Sequence, residues 1–512
     1  MKIRRTQNAA RNILFDGSLK LVNMIVPFFM RSLMLYYLGV EYLGLNGLFR
    51  SVFSFLNMAE MGVGSAMVFS MYRPVAEDDR ETICALMKLY RTLYRIIGLA
   101  VAGLGLALTP FLRKLIMGDF PVDLNLYILY FMNLASTVLS YWLFAYKHSL
   151  LYACQRKDVD SKVKLGCQIA EYALKISALT VFHNYYMYLG AQLLMQIAAN
   201  LATARQVDRL FPGFCARGEL PAEKVKNIAR RVRDLFTARF AGTIFNSADT
   251  LVISSFLGLA ALAVYQNYFY IISALKTFVD VIVNACIAGV GNSLVTESKE
   301  KNVRDFTRFT MLFGWVMCVA SAMLLCLYHP FMRLWMGEDS LLPFHYAVCF
   351  AVYFYIIGIS KGMNMFKDAA GIWHRDRFRP LAAALVNLGL NLGTVKWLGL
   401  YGVLLSSVAA VTVVELPWLL HNLFQEVFPR KSMRGFVRSF LGLVTAAAAG
   451  CAAAWFLCGL FSLSLWATLI VNGAISFLVP NVFFLLLYGR NPLVVQSVKQ
   501  IKRLALEQKK AL

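Results

Sequence analysis

Asp16, Lys20, Asn23, Pro27 and Arg31 are separated by 4, 3, 4 and 4 residues within an otherwise apolar run. On a helix this spacing makes one polar stripe, with a mid-helix proline that weakens the local backbone ladder. Similar sets recur: Arg50, Ser54, Asn57 and Glu60; Lys88, Arg91 and Arg95; Asn133, Thr137, Ser140 and Lys147; Asn246 and Asp249; Ser273, Lys276, Asp280 and Asn284. An ionised group in such a run is costly unless it faces a cavity or a partner. The stripes therefore mark either an aqueous path or internal ion pairs.

Individual members divide between these readings. Arg31 lies ~12 Å from the outer end of its run at the helical rise, flanked by FFM and SLML. It reads as cavity-lining, with outward snorkelling as the alternative, and Arg50 is balanced between the same two. Lys147 sits near an inner boundary, where an ordinary basic residue is the plain explanation. Lys88, Arg91 and Arg95 stack toward the same side as an electropositive entrance. Lys276 and Asp280 stand at i and i+4, so they either neutralise each other or face a cavity. When the LG dipeptides at 38–39 and 257–258 are aligned, Asp249 falls opposite Met30, beside Arg31. Opposite charges at similar depth in two related helices suit a gate or an ion site.

The elements that position these residues follow from composition. The chain has 512 residues, 59% hydrophobic and 15% charged, against roughly 25% charged in a soluble domain, and its mean hydropathy is +0.60. Apolar blocks of this number and length predict an all-α polytopic membrane protein. Disorder, a disulfide scaffold and a soluble nucleic-acid binder are excluded together. The net charge of +23 is explained by topology, because Lys and Arg cluster between the apolar blocks. Ten cysteines are scattered without a CxxC spacing, and the six histidines form no HExxH pair. No metal site is expected, and cysteines such as Cys84, Cys154, Cys286, Cys318 and Cys458 read as small buried apolar side chains.

A 20-residue window predicts about fourteen transmembrane helices, at 12–39, 45–71, 83–109, 125–151, 163–182, 187–210, 235–257, 261–288, 307–335, 342–366, 379–398, 401–423, 436–459 and 465–488. Lys and Arg fall in alternate loops: Lys2, Arg4, Arg5 and Arg11, then Arg156, Lys157 and Lys162, then Arg230, Arg231 and Arg233, and finally the tail from Lys499. Both termini are expected in the cytoplasm. The first apolar run reads as a retained span, since Asp16 and Lys20 interrupt it. The polar stretch 211–238 holds Pro221 and then Val225, Ile228, Val232 and Leu235 at helical spacing, which predicts a basic amphipathic helix on the inner membrane surface. The tail stripe Val494, Val498, Ile501 and Ala505 has similar character. A weak internal echo pairs YYLGVEYLGL (36–45) with SFLGLAALAVY (255–265), each followed by a glycine pair, Gly62/Gly64 and Gly289/Gly291. It suggests two related lobes, the arrangement used for alternating access.

No Walker A motif appears, so ATP is not expected as the driver. No long outer loop is expected that would house a glycosyltransferase or ligase site, and no catalytic carboxylate pair stands at one face. The chain therefore reads as a non-enzyme.

The pattern LYYLGVEYLGLNGLFRSVFSFLNMAEMGVGSAMVFSMY (35–72) resembles the first helix pair of bacterial Wzx-type polysaccharide flippases of the multidrug/oligosaccharidyl-lipid/polysaccharide superfamily. DTLVISSFLGLAALAVYQNYFYI (249–271) is similar to the start of the second lobe in that family. The resemblance implies two pseudo-symmetric six-helix lobes around a central cationic cavity, over residues 1–218 and 219–428, plus a final helix pair and basic tail at 429–512. It implies transport of undecaprenyl-diphosphate-linked oligosaccharide from the inner to the outer leaflet of the bacterial plasma membrane for surface polysaccharide biosynthesis. A polysaccharide polymerase and other assembly proteins are the implied partners. Arg31, Arg50, Lys147, Asn246 and Lys276 become candidates for the substrate cavity, and Asp249 and Asp280 for gating or ion coupling. No cofactor is implied beyond coupling to a sodium or proton gradient, between which no motif decides. A multidrug or cation antiporter of the same superfamily is the alternative, although such a cavity calls for acids where this chain supplies Arg and Lys. A peptidoglycan-precursor flippase, which shares the final helix pair, is another, and a membrane glycan polymerase is a more distant one.

Overall fold

Long apolar blocks bounded by capping residues fold as helices, and no strand occurs among the described residues. The computed structural model describes residues 5–496 except Met61, Asp119 and Ser462, without the side chains of residues 5–10, 13, 59, 234, 235, 237–239, 241, 246, 288 and 374. In chain order the helices are α1 (Arg5–Tyr37), α2 (Val40–Leu56), α3 (Val63–Glu77), α4 (Arg80–Leu108), α5 (Leu126–Trp142), α6 (His148–Ala153), α7 (Lys157–Thr180) and α8 (Tyr185–Leu210). They continue with α9 (Ala222–Thr296), α10 (Lys299–Met336), α11 (Phe344–Ala369), α12 (Trp373–Asp376), α13 (Arg379–Ala409), α14 (Leu416–Glu426), α15 (Met433–Cys458) and α16 (Leu465–Tyr488).

Polar side chains open several helices by accepting from otherwise orphaned amides. Asp79 Oδ1 accepts from Thr82 N at 3.0 Å, Asn184 Oδ1 from Met187 N at 3.1 Å, and Ser298 Oγ from Lys301 N at 3.3 Å. Each expected span falls on helix, and the departures have local causes. The second is split by Gly62, left-handed at φ 97°. The fourth bends by 45° between α5 and α6, where Phe144 is left-handed. The seventh and eighth run together as α9, and the eleventh joins the twelfth through α13, a π-helical turn at Ala410–Glu415 and α14. By length and apolarity alone, eight helices among the described residues qualify as membrane spans, or nine with the bent pair. The chain is a multi-pass membrane protein.

The amphipathic segment predicted after Pro221 is helical but not separate. No breaker stands between Ala222 and Gly258, so it forms the first turns of α9 and continues into the apolar run. Ile228 is buried and Arg230, Arg231 and Arg233 are exposed. The Arg231 guanidinium lies 4.5 Å from the centre of the Phe69 ring. Of the expected tail stripe, Val494 is buried with Met311, Leu443 and Phe484; Val498, Ile501 and Ala505 lie outside the described residues.

The sequence echo has a backbone counterpart at its LG dipeptides. Gly39 has φ 111° and ψ 176°, and Gly258 has φ 89° and ψ 177°, an extended positive-φ region open essentially to glycine alone. Each marks the end of one apolar helix and the start of the next. The second half of the echo differs in structure, because Gly289 and Gly291 stay inside α9 while Gly62 caps the start of α3.

The chain divides into two compact units, Met1–Ala263 and Val264–Leu512. In the first, α7 packs between α1 and α8, and α5 between α4 and α8. Tyr130 is fully buried among Phe49 and Phe53 and donates its hydroxyl to the Gly105 carbonyl at 2.8 Å. In the second, α10 is central and packs on α11, α15 and α16. Phe306 stacks on Phe428 and Phe436 with ring centres 4.9 and 4.6 Å away, and Trp315 stacks on Phe484 at 4.5 Å.

Close backbone approach fixes the Gly258 bend. A Cβ on Gly44 would lie 2.0 Å from the Leu259 carbonyl oxygen, and one on Gly258 would lie 2.9 Å from that of Met117. Neither backbone atom can rotate away. Gly44→Ala and Gly258→Ala should each destabilise the purified protein by about 1–3 kcal/mol, read as a lower thermal-unfolding midpoint. Gly103→Ala, on α4 with open space around it, should not lower the midpoint. Unchanged midpoints in all three would contradict this packing.

Candidate functional site

The polar stripes resolve differently in the two units. In the first unit Asp16, Lys20, Lys88 and Lys147 are in ion pairs. Asp16 is bridged by Lys20 at 3.2 Å and by Lys157 at 2.9 Å, tying α1 to the start of α7. Asn23 hydrogen-bonds Gln168 of α7 one turn further on. Arg31, past Pro27, is half-buried, and Arg50 is exposed. Lys147 donates to both Asp208 oxygens at 2.6 Å and lies 5.1 Å from the Phe144 ring centre, so its charge is answered from α8. Lys88 pairs with Glu219 at 3.2 Å. Asp249 is buried, as are Ser247, Thr250 and Ser254 of the same helix. The Asn246 side chain lies outside the described residues.

Glu60 occupies a short 3₁₀ turn, Asn57–Glu60, between α2 and α3. Its carboxylate accepts from the Tyr94 hydroxyl, which in turn accepts from Tyr90 at 2.7 Å. Tyr141 donates to Asn57 of the same turn at 2.8 Å. Phenols rather than basic groups surround this acid.

The second unit holds a cluster that joins four expected spans. Asp280 is ion-paired with Lys361 of α11 rather than with Lys276, so of the two readings of Lys276 and Asp280 the i,i+4 neutralisation does not form. Lys276 is half-buried, in the electrostatic field of Lys361 and Glu415. Among the described residues it makes no hydrogen bond or ion pair. Glu415 is occupied elsewhere. It accepts from Arg379 Nη1 at 3.0 Å, Ser360 Oγ at 3.0 Å and Asn364 Nδ2 at 3.4 Å. Arg379, buried, also holds Asp376 through Nε at 2.7 Å and Nη2 at 2.8 Å.

Glu415 reaches this position because it ends the π-helical turn Ala410–Glu415, two residues before Pro417. Proline has no amide hydrogen for the preceding turn, and a single wide turn is a common accommodation at functional positions. Lys361, Arg379, Asp376 and Glu415 are absent from the sequence-derived candidates. Their one sequence signal is Glu415, a lone acid in the run LLSSVAAVTVVELPWLL. Farther along α9 a cleft of about 250 Å³ opens toward α10, lined by Ser293, Asn302, Asp305 and Arg308. The acids of the cluster are thus held by other partners, and a lysine ammonium is left for an external anion or water.

No protein-family model matches the chain, and no curated protein matches it. Solved structures do. A lipid II flippase MurJ in an inward closed conformation superposes with a TM-score of 0.68 at 14% identity, covering 93% of this chain and 99% of its own. An inward-facing multidrug resistance MATE family transporter of the MOP superfamily gives 0.63 at 14% identity, over 82% of this chain and 96% of its own. A MOP superfamily transporter from Pyrococcus furiosus, described as having a binding pocket of reverse polarity, gives 0.54 at 14% identity, over 84% and 96%. The chain therefore shares its fold with a lipid II flippase and with MATE family transporters.

Proposed function

We propose that this chain is a Wzx-type flippase. It moves undecaprenyl-diphosphate-linked oligosaccharide from the inner to the outer leaflet of the bacterial plasma membrane by alternating access, as a step of surface polysaccharide biosynthesis. The observation that carries this reading is Lys276: a half-buried ammonium in an apolar helix, beside Lys361, with no hydrogen bond or ion pair among the described residues. An intramembrane cation without a counter-charge is costly, and a diphosphate supplies both the charge and the acceptor oxygens. A cation carrier would want the reverse, an acid left over, whereas Asp280 and Glu415 here are held by Lys361 and Arg379.

The solved structure that covers more of this chain is a lipid II flippase, 93% against 82% by the inward-facing MATE transporter, which supports a lipid-linked substrate. One observation favours the second reading, a multidrug or cation antiporter: Glu60 is an acid in contact with phenols and not with a base. In the flippase reading Glu60 and buried Asp249 serve ion coupling, to sodium or to protons.

In cells depleted of the protein, undecaprenyl-diphosphate oligosaccharide should accumulate in the inner leaflet, and wild type should restore its export. Arg31→Ala should insert normally yet export at least ~10-fold less, the scale of one lost charged hydrogen bond; normal export would remove Arg31 from the path. Asp249→Asn should change the dependence of transport on sodium or pH gradients, and an unchanged dependence would remove Asp249 from coupling. Oligosaccharide that crosses normally but stays unpolymerised would turn the reading to an enzyme. Unaltered lipid-linked glycans in depleted cells would turn it to antiport.

A further inference from the structure

Four of the ten cysteines meet in pairs across the contact between α10 and the final helix pair. Cys318 and Cys326 stand eight residues apart on α10, and Cys451 and Cys458 seven apart on α15. Both spacings are close to two helical turns, so each pair of thiols lies on one face. The faces oppose each other. The Cys451 thiol donates to the Cys318 carbonyl at 3.7 Å, and the Cys318 thiol to the Ala447 carbonyl at 3.6 Å. Cys326 and Cys458 pack together in one buried cluster, with Cys451 against it. Asn472 of α16 braces the second pair, donating to the Cys326 carbonyl at 3.4 Å while its own carbonyl accepts from Cys458 at 3.9 Å.

Ala322 and Ala454, both fully buried, lie between the two pairs. Small side chains let two membrane helices approach closely, and alanine would serve that purpose at all these positions. What packing alone does not require is sulfur opposite sulfur, twice, in matched register. All four are free thiols in this structure. Cys458 is the last residue of α15, so its pair lies at the boundary with the connecting segment.

We propose that Cys326–Cys458 and Cys318–Cys451 are disulfide-forming sites that clamp the final helix pair to α10. The chemistry is thiol–disulfide exchange with a small disulfide oxidant. One thiolate of a pair attacks a sulfur of the oxidant, giving a mixed disulfide and releasing one thiolate. The facing thiolate then attacks the protein sulfur, closing the intramolecular bond and releasing the second. Two protein thiols are oxidised and one oxidant disulfide is reduced to two thiols.

The full-length protein in native membranes, treated with the membrane-permeable aromatic disulfide 4,4′-dithiodipyridine, tests this. After quenching, alkylation of remaining thiols and digestion, mass mapping should show the peptides of Cys326 and Cys458 linked, and those of Cys318 and Cys451 linked. Each should be roughly tenfold or more above any other cysteine combination, because the facing thiols have a high effective concentration. A reductant should remove both links. Cys458→Ala should lose the first and keep the second. Wild-type protein in which these four residues emerge as free thiols, or capped singly by the reagent, would overturn the proposal. Preferential linkage to other cysteines would do the same.

Discussion

A charge inside a membrane helix must be answered, and the ways it is answered organise this chain. Asp16, Lys147 and Asp280 are met by partners on other helices, so each works as a tie between elements. Glu60 is met by phenols on α4. Arg379 is saturated by two carboxylates and an amide. Removing one partner from such a buried network leaves the other uncompensated, which costs more than the pair contributes. Lys276 stands apart from all of these. Its neighbours in the electrostatic sense are a like charge and an acid already engaged, and this imbalance is the physical reason to expect an anionic guest.

In the cluster around Glu415 the acid near that lysine is engaged by other donors. The π-helical turn before Pro417 places the carboxylate against Arg379, 36 residues earlier in the chain. Asp376, three residues before Arg379, takes the rest of the guanidinium. Asn422 donates to the same aspartate at 3.0 Å, fixing its orientation. Lys361 pairs with Asp280, one turn along α9 from Lys276. Each arrangement is satisfied within the unit, so the polar groups there are rigidly assigned.

Much of the architecture was legible in the residues themselves. Apolar block length marks the helices, and the LG dipeptides mark two junctions whose backbone angles nearly coincide at Gly39 and Gly258. Helical spacing finds stripes on one helix, as it did for Asp16 to Arg31. It says nothing about which stripes meet, and there the reading ran out: the partner of Asp280 is Lys361, on a different helix. Lys147 illustrates the same limit, since Asp208 lies 61 residues away. The helix after Pro221 continues into a span because amphipathic periodicity does not specify where a helix stops without a breaker. The cysteine pairs escaped for the related reason that matched register across two helices leaves no local spacing motif.

The most direct test of the central claim places the purified chain in liposomes with fluorescent undecaprenyl-diphosphate oligosaccharide in one leaflet. Translocation is followed by quenching from outside, with wild type compared with Lys276→Met. Wild type should transfer the lipid-linked glycan without competition from a cationic fluorescent drug, and the variant should transfer it at least ~10-fold more slowly. Equal transfer by both proteins, or movement of the cation in place of the lipid-linked glycan, would contradict it.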